Sequence, residues 1–166
     1  MARVTHPILG AIDPSETDYW EADVTFGGRS VSVDLTIEDP ELEPSALAAL
    51  PQSLNDIEPL DRAARAAILS DAQSEDDDAA AALYLTHHHE VLSAEDYLRC
   101  FGSTAPDLAS PGAALARLKL VRVGLYPTEQ DRRVLLDYSI DPETTSYLLC
   151  VSFDAGNQPV AIDLES

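Results

Sequence analysis

The chain has 166 residues, with 30 Asp and Glu against 10 Lys and Arg, a formal net charge of −20 and 45% hydrophobic residues. That apolar fraction is too high for a wholly disordered chain, and the length fits one domain able to fold without a disulfide or a metal. The charge disfavours nucleic-acid and anionic-membrane binding, which need basic surface, and leaves a basic protein partner, a cation or mimicry of DNA's charge as options.

Residues 1–38 read as β. A short strand is expected at Pro7–Ile12. Trp20, Ala22, Val24 and Phe26 alternate with Glu21, Asp23 and Thr25, and Val31, Val33, Leu35 and Ile37 alternate with Ser32, Asp34 and Thr36. This is the period of half-buried strands, and Gly27-Gly28 between them suits a two-residue hairpin turn. The hairpin register puts Trp20 opposite Leu35, Ala22 opposite Val33 and Val24 opposite Val31. It also sets Glu21 opposite Asp34 on the solvent face, with Asp23 two residues along. No Lys or Arg lies within these two strand spans, so Glu21, Asp23 and Asp34 form an acidic stripe. Like charges placed opposite one another cost stability, which makes the stripe the candidate docking surface for a basic partner or a cation.

Glu38–Pro44 is a linker, and residues 44–117 read as helical. Leu47, Leu50, Leu54 and Ile57 recur at helical spacing, with Pro51 splitting the segment. Pro59 suits the first position of a following helix that runs to about Gln73 and buries Leu60, Ala64, Ala67 and Ile68. The acidic run from Asp71 to Asp78 favours the start of a helix from about Asp77 to Leu92. Ser93, with Asp96 three residues on, caps a short helix that Gly102 ends, and Ser110-Pro111 starts another to about Arg117.

Residues 118–166 read as a β-meander. Leu118–Tyr126 is nearly continuous apolar, and Arg133–Ile140 alternates. Tyr147–Phe153 is followed by a turn at Asp154-Ala155-Gly156-Asn157 and a last strand at Pro159–Leu164. The fold expected is α+β: one domain over residues 1–166, its antiparallel sheet built from the N-terminal hairpin and the C-terminal meander, with the central helical block on one face. Tyr19, Trp20, Tyr126, Tyr138 and Tyr147 are placed on one sheet face, as core.

The motifs that carry chemistry are sparse. Three neighbouring helical residues point about 100° apart, so His87-His88-His89 does not converge on one metal. One histidine of the run is expected partly buried, with position 87 on the face of Leu83, Tyr84 and Val91. The Asp71–Asp78 run has no glycine and does not match a calcium loop. The phosphate-binding glycine loops and the nucleophile elbow are absent. Cys100 and Cys150 form no CxxC and read as free thiols of a reduced compartment. No catalytic, cofactor-binding or metal-binding residue is assigned, and no cofactor. Met1–Asp13 lacks an apolar signal core and no run approaches the roughly 20 apolar residues of a membrane span, so a cytoplasmic location is expected.

Several segments carry a resemblance. They are His6-Pro7 with Gly10, Asp18-Tyr19-Trp20-Glu21, Val33-Asp34-Leu35, Leu60-Asp61 with Ala64-Arg65 and Ala67-Ile68-Leu69, and Leu120-Val121-Arg122-Val123-Gly124-Leu125-Tyr126-Pro127. Leu136–Ile140, Tyr147–Asp154 and Ile162–Ser166 continue it. In these the chain resembles a bacterial domain-of-unknown-function family, DUF2004. The resemblance implies one compact domain with a natural C-terminus and carries over no activity, cofactor or catalytic residue. By analogy of type, small acidic α+β proteins suggest an immunity or antitoxin-like role.

The reading that leads is a non-enzymatic acidic protein presenting Glu21, Asp23 and Asp34 to a basic protein. The excess of acids is concentrated before residue 118, with 22 acids and 6 bases there against 8 and 4 after it. Two alternatives stand beside it. One is a small-molecule-binding or enzymatic domain with its site between sheet and helices, where His6, His87, Asp137 or Cys100 would converge. The other is a DNA mimic.

Overall fold

The computed structural model describes residues 3–166. The 19–36 hairpin forms as its alternation dictates: β3 (Tyr19–Phe26) pairs antiparallel with β4 (Arg29–Thr36), with Trp20 opposite Leu35, Ala22 opposite Val33 and Val24 opposite Val31. Gly27 and Gly28 take φ of 59° and 77°, the left-handed pair that lets the turn follow the strand twist. The meander runs through β5 (Lys119–Leu125), β6 (Val134–Ser139), β7 (Leu148–Phe153) and β8 (Pro159–Glu165). Hairpin and meander join in one six-stranded sheet, ordered β3-β4-β5-β6-β7-β8. The join itself is parallel, Ser32 beside Arg122 and Leu35 beside Leu125, so the sheet is mixed and the helical block is the crossover between β4 and β5.

The N-terminal segment is two strands where one was expected. β1 (Val4–His6) and β2 (Gly10–Ile12) form a separate two-stranded sheet. The His6 ring causes the reversal: its Nδ1 accepts the backbone N–H groups of Ile8 and Leu9, at 3.2 and 3.3 Å.

Five helices pack against the sheet. α1 (Pro44–Ala48) ends before Pro51, and α2 (Leu54–Ala72) begins five residues before Pro59. A capping box of Ser53 and Asp56 starts α2 and leaves Pro59 inside the helix on its exposed side, not at its first position. α3 (Ala80–Val91) starts where the Asp71 carboxylate of α2 accepts the Ala81 N–H at 2.8 Å. The acids of the 74–78 run are exposed and precede the helix. α4 (Ala94–Phe101) has the expected ends: the Ser93 side chain accepts the Asp96 N–H, and Gly102 closes it at φ 75°. α5 (Gly112–Leu115) is a single turn.

The core lies between helices and sheet. It takes Val31, Val33 and Leu35 from β4, Val123 and Leu125 from β5, Leu136 and Tyr138 from β6, and Leu149, Val151 and Phe153 from β7. Ile57, Leu60, Ala64 and Ile68 of α2 and Tyr84 and Leu85 of α3 meet them. The expected aromatic set splits: Trp20, Tyr138 and Tyr147 join this core, while Tyr19 is 47% exposed and Tyr126 lies with Arg122 over Gly124 on the opposite face.

Candidate functional site

The acidic stripe is half dismantled by the sheet itself. Glu21 does pair with Asp34 across β3 and β4, but Asp34 is buried, at 2% exposure. The parallel join brings Arg122 of β5 beside β4. Its Nε and Nη2 hold both oxygens of Asp34, at 2.6 and 3.0 Å, and its Nη1 holds Asp137 of β6 at 2.9 Å. Tyr126 adds a fourth contact through its hydroxyl at 2.6 Å. Burial opposes the guanidinium charge, but the two carboxylates outweigh it and raise its pKa. Asp34 is therefore not on an exposed stripe, because an arginine 88 residues away neutralises it. Glu21 and Asp23 remain exposed, Glu21 accepting hydrogen bonds from the hydroxyls of Tyr19 and Ser32.

The other candidate groups do not converge. His6 is buried and donates from Nε2 to the Pro51 carbonyl at 3.0 Å, a structural tie between β1 and the chain before α2. In the histidine run the fully buried member is His88, not position 87, because the core face of α3 is Ala81, Tyr84, Leu85 and His88, while Leu83 and Val91 are exposed. A carbonyl only accepts, so His88 Nδ1 carries the proton it gives to Tyr84 at 2.6 Å. Its Nε2 takes the Thr145 hydroxyl at 2.9 Å. Burial lowers the pKa of both His6 and His88, keeping them neutral. His87 rests edge-on to Tyr147 and His89 edge-on to Tyr97. Cys150 is buried beside Asp137 with its pKa raised, chiefly by burial. Among the described residues no group of three His, Cys, Asp or Glu is placed to hold a metal.

What the fold does assemble is a cleft of about 740 Å³ where the crossover helices meet the ends of the central strands. It is lined by Arg29 from the start of β4, Arg65 from α2, Arg99 from α4, Arg117 from the chain after α5, and Lys119 from β5. Half of the chain's 10 Lys and Arg thus line one depression, against two acids, Asp61 and Asp141. Phe26, Leu120 and Ile140 supply apolar wall.

The five cations are not equally engaged. Arg65 forks onto Asp61 at 3.1 Å, donates to the Leu118 carbonyl and lies over the Tyr138 ring, whose hydroxyl bonds Asp61 at 2.7 Å. Arg99 pairs with Asp96 at 2.9 Å and Asp141 at 3.0 Å. The Asp141 pKa is lowered, by the hydrogen bond from the Thr144 hydroxyl first and that from Arg99 next. Arg117 has no carboxylate; it caps α4, donating to the carbonyls of Arg99 and Cys100 at 3.0 and 3.2 Å. Lys119 reaches Asp141 only at 3.9 Å. Arg29 is exposed and, among the described residues, forms no ion pair within 4.0 Å. Arg29, at the start of β4, and Lys119, at the start of β5, both line the cleft.

Local sequence signals do not reveal this cleft, since its cations come from four separate stretches of chain, only Arg117 and Lys119 being close in sequence. The one available hint is scarcity: in a chain with a single lysine and nine arginines, each cation has a place to be accounted for. Arg122 carries a comparable hint, an arginine within the apolar run 118–126 that requires a buried carboxylate.

No helix of the described residues is long and apolar enough to cross a membrane. No family model, curated protein or solved structure matches the chain.

Proposed function

We propose that the chain is a binding domain for a small anionic molecule, held in the cleft between the helical crossover and the sheet. The observation that carries this reading is the convergence of five cations on one cleft in a chain of net charge −20. Dispersed over an acidic surface, each would be neutralised by neighbouring acids. Gathered here, they outnumber the cleft's acids by three, and Arg29, Arg117 and Lys119 keep donors without a close carboxylate. Walls of low dielectric strengthen the field of such a cluster and attract anions against the overall charge. Mixed apolar and convergent polar lining, at this volume, is the usual character of a ligand site.

The test is thermal unfolding at low ionic strength with sulfate, phosphate or citrate, and with glucose as a neutral control. Anions should raise the midpoint of the native protein and leave that of the Arg29→Ala/Lys119→Ala double variant unmoved relative to its own baseline. Equal anion shifts in both proteins would refute the reading.

A second reading, a basic protein partner on the exterior, is favoured by the exposure of Glu21 and Asp23 on the edge strand β3. Charge reversal at these two positions should abolish a salt-sensitive partner in a pull-down; an unchanged partner would end it.

A further inference from the structure

We infer that the ligand of the cleft is a phosphorylated organic molecule, a phosphate monoester whose phosphate sits among Arg29, Arg117 and Lys119 and whose organic part lies against Phe26, Leu120 and Ile140. This rests on the reading of the cleft as an anion site and names its substrate class.

Charge and donor geometry argue for phosphate over carboxylate. The cleft holds five cations against Asp61 and Asp141. A single carboxylate leaves most of that excess uncompensated. A phosphate monoester brings about −1.5 to −2 charges at pH 7 and three acceptor oxygens. Guanidinium groups present paired N–H donors matched to such oxygens, while a lysine acts on them as a point charge. Arg29 and Lys119 begin the adjacent strands β4 and β5 and line the same cleft, and among the described residues neither has a carboxylate closer than 3.9 Å. Arg117 lines the same cleft, its Nη1 anchored on the end of α4.

Volume and lining argue for an ester over the free ion. Water occupies about 30 Å³ per molecule, so a cleft of about 740 Å³ is many times larger than inorganic phosphate needs. The lining also carries the apolar side chains of Phe26, Leu120 and Ile140, and its other two cations, Arg65 and Arg99, are paired with Asp61, Asp96 and Asp141.

The experiment is isothermal titration of the full chain at pH 7.5 and low salt with four probes: phenyl phosphate, inorganic phosphate, benzoate and succinate. Phenyl phosphate should bind about tenfold or more tighter than the other three, a difference of at least about 1.4 kcal/mol. Arg29→Ala and Lys119→Ala should each weaken it severalfold, while Arg132→Ala, outside the cleft, leaves it unchanged. Inorganic phosphate binding as well as phenyl phosphate would overturn the ester. Benzoate or succinate binding as well would overturn phosphate and leave the anion site standing. Silence from all four probes would overturn both readings. Circular dichroism of each variant checks that it folds; if Arg29→Ala did not, Arg29→Lys, which keeps the charge and loses the fork, should give an intermediate affinity.

Discussion

Replacing Arg122 by Met should be among the most damaging single changes in this protein. The arginine is the sole ion-pair partner of two carboxylates, Asp34 and Asp137, whose side chains are only 3% and 6% exposed. Methionine keeps the unbranched stem and removes the charge, leaving two buried like charges on the strands that flank β5 with no cation to hold them. Breaking a buried pair from one side costs about 3–5 kcal/mol. In a chain of this size each kcal/mol moves the melting temperature by roughly 2–4 °C, so the expected loss is roughly 6–20 °C. Urea unfolding at pH 7.5 measures it. Two further arms test the cause. Adding Asp34→Asn and Asp137→Asn to Arg122→Met should recover about half of the loss, because the orphaned charges are gone. Arg122→Lys, which keeps a positive charge beside both carboxylates, should lose less than Arg122→Met. A loss below about 1 kcal/mol, or one that neither arm reduces, would refute the account of Arg122 as the neutralising centre of the sheet.

Three other outcomes follow from the same geometry. Burial lowers the pKa of His6 and His88 below the unfolded value of 6.5, so the unfolded chain binds more protons below that pH. Stability is therefore fully present above about pH 6.5 and falls as the pH drops, by up to about 1.4 kcal/mol per unit per histidine, and urea midpoints of His88→Gln between pH 7.5 and 5.5 should fall less steeply than those of the native protein. Gly102→Ala should cost about 1 kcal/mol or more in urea unfolding, since Gly102 has φ 75° and a Cβ would stand 2.8 Å from the Arg117 guanidinium carbon; an unchanged midpoint would deny the left-handed cap. In a Cys100→Ser background Cys150, buried and with a raised pKa, should stay unreactive towards Ellman's reagent until denaturant is added, and fast native labelling would contradict its placement.

The elements legible in the sequence are those set by local periodicity. Strict alternation and a Gly-Gly turn fix the register of β3 and β4 pair by pair, and Ser93, Asp96 and Gly102 announce both ends of α4. Interactions between distant segments were not legible in this way. The alternation that identified Asp34 as facing away from the core is correct, yet the inference to solvent failed because β5 brings Arg122 next to it. Pro59 reads as a helix start because proline suits the first turn, but the Ser53–Asp56 capping box, which opens six residues earlier, decides where α2 begins. His88, not His87, is buried because its i−4 neighbour Tyr84 enters the core, a choice of helix face that the flat hydrophobicity of α3 leaves open. The cleft belongs wholly to this second kind, its cations being contributed by the start of β4, α2, α4 and the stretch from Arg117 into β5.

The central claim is that this cation-lined cleft, and not the acidic exterior, is where the protein meets its small-molecule ligand. Two-dimensional amide NMR of the ¹⁵N-labelled chain titrated with phenyl phosphate tests it most directly. The account predicts saturable shifts centred on Gly27, Arg29, Arg117, Lys119 and Asp141, with the amides of Asp163 and Glu165 on the far edge strand β8 unmoved. Saturable shifts that map to any other part of the fold, or none at millimolar phenyl phosphate, would contradict it.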